Sequence, residues 1–225
     1  GADAAGVLGA ANLSGNRAWS TGSANTGNEN SEPVRGSGRF YFSGAAELLV
    51  VDAATGSVSG RRDLSSVESH LFGRQVAVGR GSVFFPTDNE ILILDPVCLE
   101  ERGSVGLPGG AKMSPALAGE SIVIADQQGT VLVINSDSGA IRNEIPTAAA
   151  QPVAIAPLIA GNRAVIVGRR GTVAAVDIGD GTLLWETPLS GDASRGVFTN
   201  PVTDGERLFV HARETIYALD LGDGS

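Results

Sequence analysis

Short apolar runs recur along this chain, each closed by an acid or an amide. They are Glu47-Leu-Leu-Val-Val-Asp52, Glu90-Ile-Leu-Ile-Leu-Asp95, Thr130-Val-Leu-Val-Ile-Asn135, Thr172-Val-Ala-Ala-Val-Asp177 and Thr215-Ile-Tyr-Ala-Leu-Asp220. The closing residues are 43, 40, 42 and 43 positions apart. Gly follows four positions later at Gly56, Gly139, Gly181 and Gly224, whereas the second copy has Leu99 there. A second apolar run lies upstream of each closing residue: Phe40-Tyr41-Phe42, Val83-Phe84-Phe85, Val123-Ile124-Ala125, Val165-Ile166-Val167 and Leu208-Phe209-Val210. Polar, often Gly-containing stretches such as Asp126-Gln127-Gln128-Gly129 and Gly168-Arg169-Arg170-Gly171 separate the two runs. Paired β-rich runs with such a spacer predict hairpins. Further upstream, Pro33, Pro115, Pro157 and Pro201 each open another small apolar stretch. Proline is tolerated at the start of a strand.

One unit therefore reads as four strands in about 42 residues, and no segment has a helical period. A lone four-stranded sheet exposes two faces, and stacking units around an axis buries both. The pattern predicts an all-β fold, a β-propeller of about five four-stranded blades in a single domain spanning 1–225. The repeat units fall at about 15–56, 57–98, 99–139, 140–181 and 182–224. The fifth unit lacks an outer strand. Gly15-Asn-Arg-Ala-Trp19 has the spacing of Gly181-Thr-Leu-Leu-Trp185, so an N-terminal strand at about 16–20 is expected to close the last blade. The closing Asp or Asn has a structural explanation: its short side chain can accept backbone N–H bonds two residues on, ahead of a Gly with positive φ.

Composition narrows the function. Formal net charge is −9, which disfavours nucleic acid and anionic membrane surfaces as partners. Apolar runs are too short to span a bilayer, so no direct membrane insertion is expected. The single Cys98 excludes an intrachain disulfide and Cys-rich zinc sites. His70 and His211 leave little for triad or metal chemistry, and both read as surface or turn residues. The N-terminus, Gly1-Ala2-Asp3-Ala4-Ala5-Gly6, has neither a basic nor an apolar signal region, as in a processed secreted protein or an excised domain.

The repeats resemble the PQQ-like repeat of quinoprotein dehydrogenases and of the outer-membrane barrel-assembly lipoprotein propeller. The fullest copy is Gly171-Thr-Val-Ala-Ala-Val-Asp-Ile-Gly-Asp-Gly-Thr-Leu-Leu-Trp185-Glu, and the resemblance covers roughly residues 15–224. It implies that the Trp docks adjacent blades, a role open here only to Trp185 and Trp19. The quinoprotein enzymes it resembles hold PQQ and calcium beside a catalytic Asp, commonly with a vicinal Cys pair. Cys98 stands alone and no calcium-ligand set falls on matching positions, so no cofactor, no metal site and no catalytic residue are expected.

Recognition is then expected on loops, since the strands are committed to packing. The irregular segment 61–74 contributes a candidate binding surface of Arg61, Arg62, Leu71, Phe72 and Arg74, the alternative being that Leu71 and Phe72 tuck into a blade boundary. Positions just before each inner strand, Glu32, Gln75, Ser114 and Asn200, are candidates for ringing an axial channel, where a small ligand is an alternative occupant. The pairs Arg61-Arg62 and Arg169-Arg170 read as solvated turns, with anion sites as the alternative. The expected function is a non-enzymatic extracytoplasmic scaffold for a protein partner, periplasmic or extracellular, with a lipid anchor on the precursor left open. The alternatives are a truncated or degenerate quinoprotein dehydrogenase-like domain and the ligand-sensing domain of a larger receptor or kinase.

Overall fold

In the computed structural model the elements among the described residues are strands, and they follow the apolar runs. The structure describes residues 6–11, 17–23, 33–44, 47–65, 75–111, 113–151, 156–191, 200–212 and 214–225. The first blade comprises β3 (Val34–Gly36), β4 (Arg39–Ser43), β5 (Glu47–Asp52) and β6 (Val58–Asp63). The second comprises β7 (Ala77–Val78), β8 (Val83–Pro86), β9 (Glu90–Leu94) and β10 (Glu101–Gly106). The third comprises β11 (Ala116–Ala118), β12 (Ser121–Ala125), β13 (Val131–Asn135) and β14 (Ile141–Ile145). The fourth comprises β15 (Leu158–Ala160), β16 (Arg163–Val167), β17 (Thr172–Asp177) and β18 (Leu183–Pro188). A fifth sheet holds β19 (Val202–Thr203), β20 (Arg207–Ala212) and β21 (Thr215–Asp220). Each sheet is an antiparallel meander, and the inner strands β3, β7, β11 and β15 lie beside one another in that order. This is the β-propeller arrangement, with Pro33, Pro115, Pro157 and Pro201 each one residue ahead of an inner strand.

One expectation is corrected. The N-terminal strand was expected to complete the last blade, but β2 (Arg17–Ser23) pairs antiparallel with β1 (Gly6–Ala11) in a sheet of its own. Among the described residues the fifth sheet has three strands. A strand next in sequence is reached through a short loop, which costs far less closure entropy than pairing across the length of the chain.

The closing residue of each run makes the same turn five times. Asp52 Oδ1 accepts the Ala54 and Thr55 N–H groups, and Asp177 Oδ1 accepts those of Gly179 and Asp180. Asp95, Asn135 and Asp220 repeat the pattern. Four outer strands also carry a bulge opposite the two residues before the turn, leaving Ser59, Arg102, Arg142 and Leu184 as the extra residue. Such bulges increase twist, which stacked blades need.

The core lies between the sheets. One cluster joins blades two to four through Phe84, Ile91, Ile122, Ile124, Val133 and Ile166. Another joins blades one and two through Tyr41, Leu48, Val83 and Phe85, and a third joins blades four and five around Trp185. Trp185 is the docking residue the resemblance implied. It is buried, donates its Nε1–H to the Leu221 carbonyl at 3.2 Å, and its ring leaves no room for a Cβ on Gly224. At the equivalent place Gly181 meets Asn143. Between blades one and two the arrangement inverts. Gly60 has no side chain, the Val97–Cys98 turn comes up against it, and Leu99 fills the interface at 2% exposure despite a φ of 61°. The anomalous second turn is therefore a packing solution.

Candidate functional site

An antiparallel meander puts its loops at two ends. Turns between the first and second and between the third and fourth strands share one face. Hairpins between the second and third strands share the other with the connections between blades. On the second face the loops of neighbouring blades are tied by backbone hydrogen bonds. The Ala111 N–H donates to the Asp88 carbonyl at 2.8 Å and the Gln127 N–H to that of Gly110 at 2.9 Å. The Gln151 N–H donates to the Gln127 carbonyl at 2.8 Å, and the Arg169 N–H to those of Gln151 and Ala150 at 3.0 and 3.2 Å. Loops joined this way form a fixed surface, with binding groups held by the backbone behind them.

A cavity of about 500 Å³ opens on this face between blades three and four. Its sequence origin is specific. The connection 146–151 inserts between two hairpins that each present a glycine to it. A Cβ on Gly129 would lie 2.8 Å from the Thr147 carbonyl oxygen, and one on Gly168 would lie 2.8 Å from the carbonyl carbon of Ala149. Close approach of backbones fixes the walls, and Ala148 and Ala150, whose side chains stop at Cβ, leave the space between them unfilled. Thr147 donates from Oγ1 to the Gly129 carbonyl at 2.7 Å, and Glu186 accepts the Ala148 N–H. Gln127, Gln128, Gln151, Arg170 and Thr172 supply the polar lining. Gln151 has a φ of 53°, a left-handed conformation that residues with side chains adopt at a cost of about 1–3 kcal/mol and that clusters at ligand sites.

The residues singled out in the sequence fall elsewhere. Arg61 and Arg62 lie on the outer strand β6 and are engaged within the chain. Arg61 pairs with Glu47 at 3.1 Å; Arg62 reaches the second blade, pairing with Glu101 at 2.7 Å and donating to the Leu99 carbonyl. Leu71, Phe72 and Arg74, with His70, lie outside the described residues. Gln75 and Ser114 are brought together: the Gln75 N–H donates to Ser114 Oγ at 2.6 Å, and Ser114 is buried. They form a joint between blades two and three. Asn200 is exposed two residues before β19, and Glu32 lies outside the described residues. Cys98 is an exposed free thiol.

Both hairpins of the cavity are visible as turn stretches in the sequence, but nothing local brings them together. The signals were the consecutive Gln127-Gln128, the Arg169-Arg170 pair and the run Ala148-Ala149-Ala150. Among the described residues no group of three or more His, Cys, Asp or Glu side chains is placed to hold a metal ion.

The model of the family described as outer membrane protein assembly factor BamB matches residues 4–225. This chain belongs to that family. No curated protein sequence matches it at a significant level. Among solved structures it is similar to BamB from Moraxella catarrhalis, with a TM-score of 0.61 and 11% identity over 95% of this chain and 66% of that one. It is similar to the computationally designed Ika8 protein, with a TM-score of 0.68 and 19% identity over 88% of this chain and 60% of that one. It is also similar to KlHsv2 carrying a Gly-Ser linker in place of loop 6CD, with a TM-score of 0.68 and 10% identity over 92% and 70% of the two chains. The chain thus spans about two thirds or less of the first two. At these identities the likenesses carry the fold.

Proposed function

We propose that this BamB-family propeller is a non-catalytic, extracytoplasmic scaffold that binds a protein partner through the face carrying the hairpins and inter-blade connections. The observation that carries this reading is the hydrogen-bonded continuity of that face, which holds a cavity between two blades in fixed geometry. Family membership supports a place in the cell envelope and a protein as partner. We also propose the segment 61–74, with Leu71, Phe72 and Arg74, as a second contact region. The opposite face is occupied by the five acid- or amide-closed turns, whose side chains are spent on their own backbone.

Site-specific photocrosslinking in cells tests this. A crosslinker at Gln128 or Gln151 should give a discrete adduct with one envelope protein, identified by mass spectrometry. A crosslinker at Asp137 or Asp223 on the opposite face should give none. Adducts only from the opposite face, or from neither, overturn the reading. As a scaffold, the chain should also show no saturable heat on calorimetric titration with PQQ and Ca²⁺; tight stoichiometric binding would return it to the quinoprotein class.

A further inference from the structure

We propose that the cavity between blades three and four is a carboxylate-binding pocket that receives an acidic, extended peptide segment of the partner; this rests on the scaffold reading. The chain has a net charge of −9, yet the cavity lining contains no acid and one guanidinium, that of Arg170. Arg170 is exposed. It makes no ion pair among the described residues, as is also true of Arg35, Arg39, Arg142 and Arg163, whereas Arg61, Arg62, Arg80, Arg102 and Arg207 each meet an acid. Its hairpin is held from below, since the neighbouring Arg169 N–H is shared between two carbonyls of the connection. The guanidinium is therefore presented on a fixed base with its five donors available, the geometry that binds carboxylates in bidentate fashion.

The rest of the lining fits a peptide. The carboxamides of Gln127, Gln128 and Gln151 make no hydrogen bond among the described residues, while the backbone N–H groups of Gln127, Gln128 and Gln151 are already engaged. Each carboxamide offers one acceptor and two donors, the complement of a peptide unit. Ala148 and Ala150 add small apolar side chains to the lining. The volume, about 500 Å³, lies within the range of roughly 300–1,000 Å³ usual for ligand sites. The left-handed backbone at Gln151 is maintained by two hydrogen bonds, one to each hairpin, so the connection fixes the backbone from which Gln151 lines the cavity.

Nitrogen-15 NMR titration of the full chain tests this with three probes: acetyl-Gly-Glu-Asp-Glu-Gly-amide, its Gly-Gln-Asn-Gln-Gly counterpart, and free glutamate. The acidic peptide should give saturable shifts at the Gln127, Gln128 and Gln151 side-chain amides and at Arg170 Nε–H. The neutral peptide should bind about tenfold more weakly, the effect of one charge-assisted pair. Arg170→Gln should weaken the acidic peptide by about the same factor, and Arg170→Lys by less. Equal binding of the neutral peptide, an unaffected Arg170→Gln variant, or glutamate binding as tightly as the peptide overturns the proposal. The two readings fail separately. If Arg170→Gln abolishes peptide binding but the Gln128 adduct persists, the scaffold stands and the pocket is not the partner's seat. If peptide binds through Arg170 and no adduct forms at all, the pocket chemistry stands and the scaffold reading falls.

Discussion

Leu99 sets two effects of similar size against each other. It occupies the turn position that glycine holds in the other four blades, at φ 61°, yet its side chain is 2% exposed and belongs to the core between blades one and two. Truncation to Ala removes the buried isopropyl group beyond Cβ and should cost about 3 kcal/mol, within the usual range of about 2–5. Replacing Ala by Gly at an ordinary buried strand position would cost a further methyl, about 0.8 kcal/mol, and backbone entropy of about 0.5–1 kcal/mol. Here the second step also releases left-handed strain of roughly 1–2 kcal/mol. The contributions of the second step cancel. Leu99→Ala and Leu99→Gly should therefore be equally destabilised, by about 3 kcal/mol each, lowering Tm by about 6–12 °C for a chain of this size. Thermal and urea unfolding followed by circular dichroism measure both. A Leu99→Gly protein as stable as the parent would mean that the strain released is as large as the packing lost. A Leu99→Ala protein more stable than Leu99→Gly by about 1.5 kcal/mol would mean that no strain is stored there.

Three further outcomes are expected. Trp185→Phe leaves the Leu221 carbonyl without its indole donor and should cost about 1–2 kcal/mol, whereas Trp185→Ala should cost about 3–5 kcal/mol; a Trp185→Phe protein as stable as the parent in urea unfolding would refute the hydrogen bond's contribution. The carboxyls of Asp52, Asp95 and Asp177 are held below the ordinary carboxylate range, chiefly by the backbone N–H groups of Thr55, Cys98 and Asp180 respectively. A depressed native value adds stability that is complete above the unfolded value of about 4 and is lost as pH falls through the native one. The urea midpoint should thus be flat near neutrality and fall below about pH 4, with a shallower fall in Asp95→Asn, which keeps the turn acceptor and gives up the pair with Arg102; an unchanged acid limb would remove Asp95 from the account. Phe72→Ala should weaken partner binding with Tm nearly unchanged if the 61–74 segment is a contact surface, and a loss of about 3–5 kcal/mol of stability would place Phe72 in the core instead.

The amino-acid sequence determined the repeating unit, because its signals are local. Alternating apolar runs define strands, a short acid or amide defines the turn that follows, and proline marks the entry to the inner strand; each acts within a few residues. The match between the five closing residues and five identical turns is the result. Contacts between units were decided only in three dimensions. Residues 16–20 match an outer-strand spacing, yet pairing depends on which edge is nearest, and β1 is. Leu99 read as a departure from the turn pattern because the missing side chain at Gly60, nearly forty positions away, is what makes room for it. Arg61 and Arg62 looked like open cations in a linear view, and folding placed Glu47 and Glu101 against them. The cavity was invisible for the same reason. Its walls come from two hairpins and one connection, and its existence depends on Gly129 and Gly168 allowing backbone contact beside alanines that do not fill the gap, a property of the assembled loops and of no single segment.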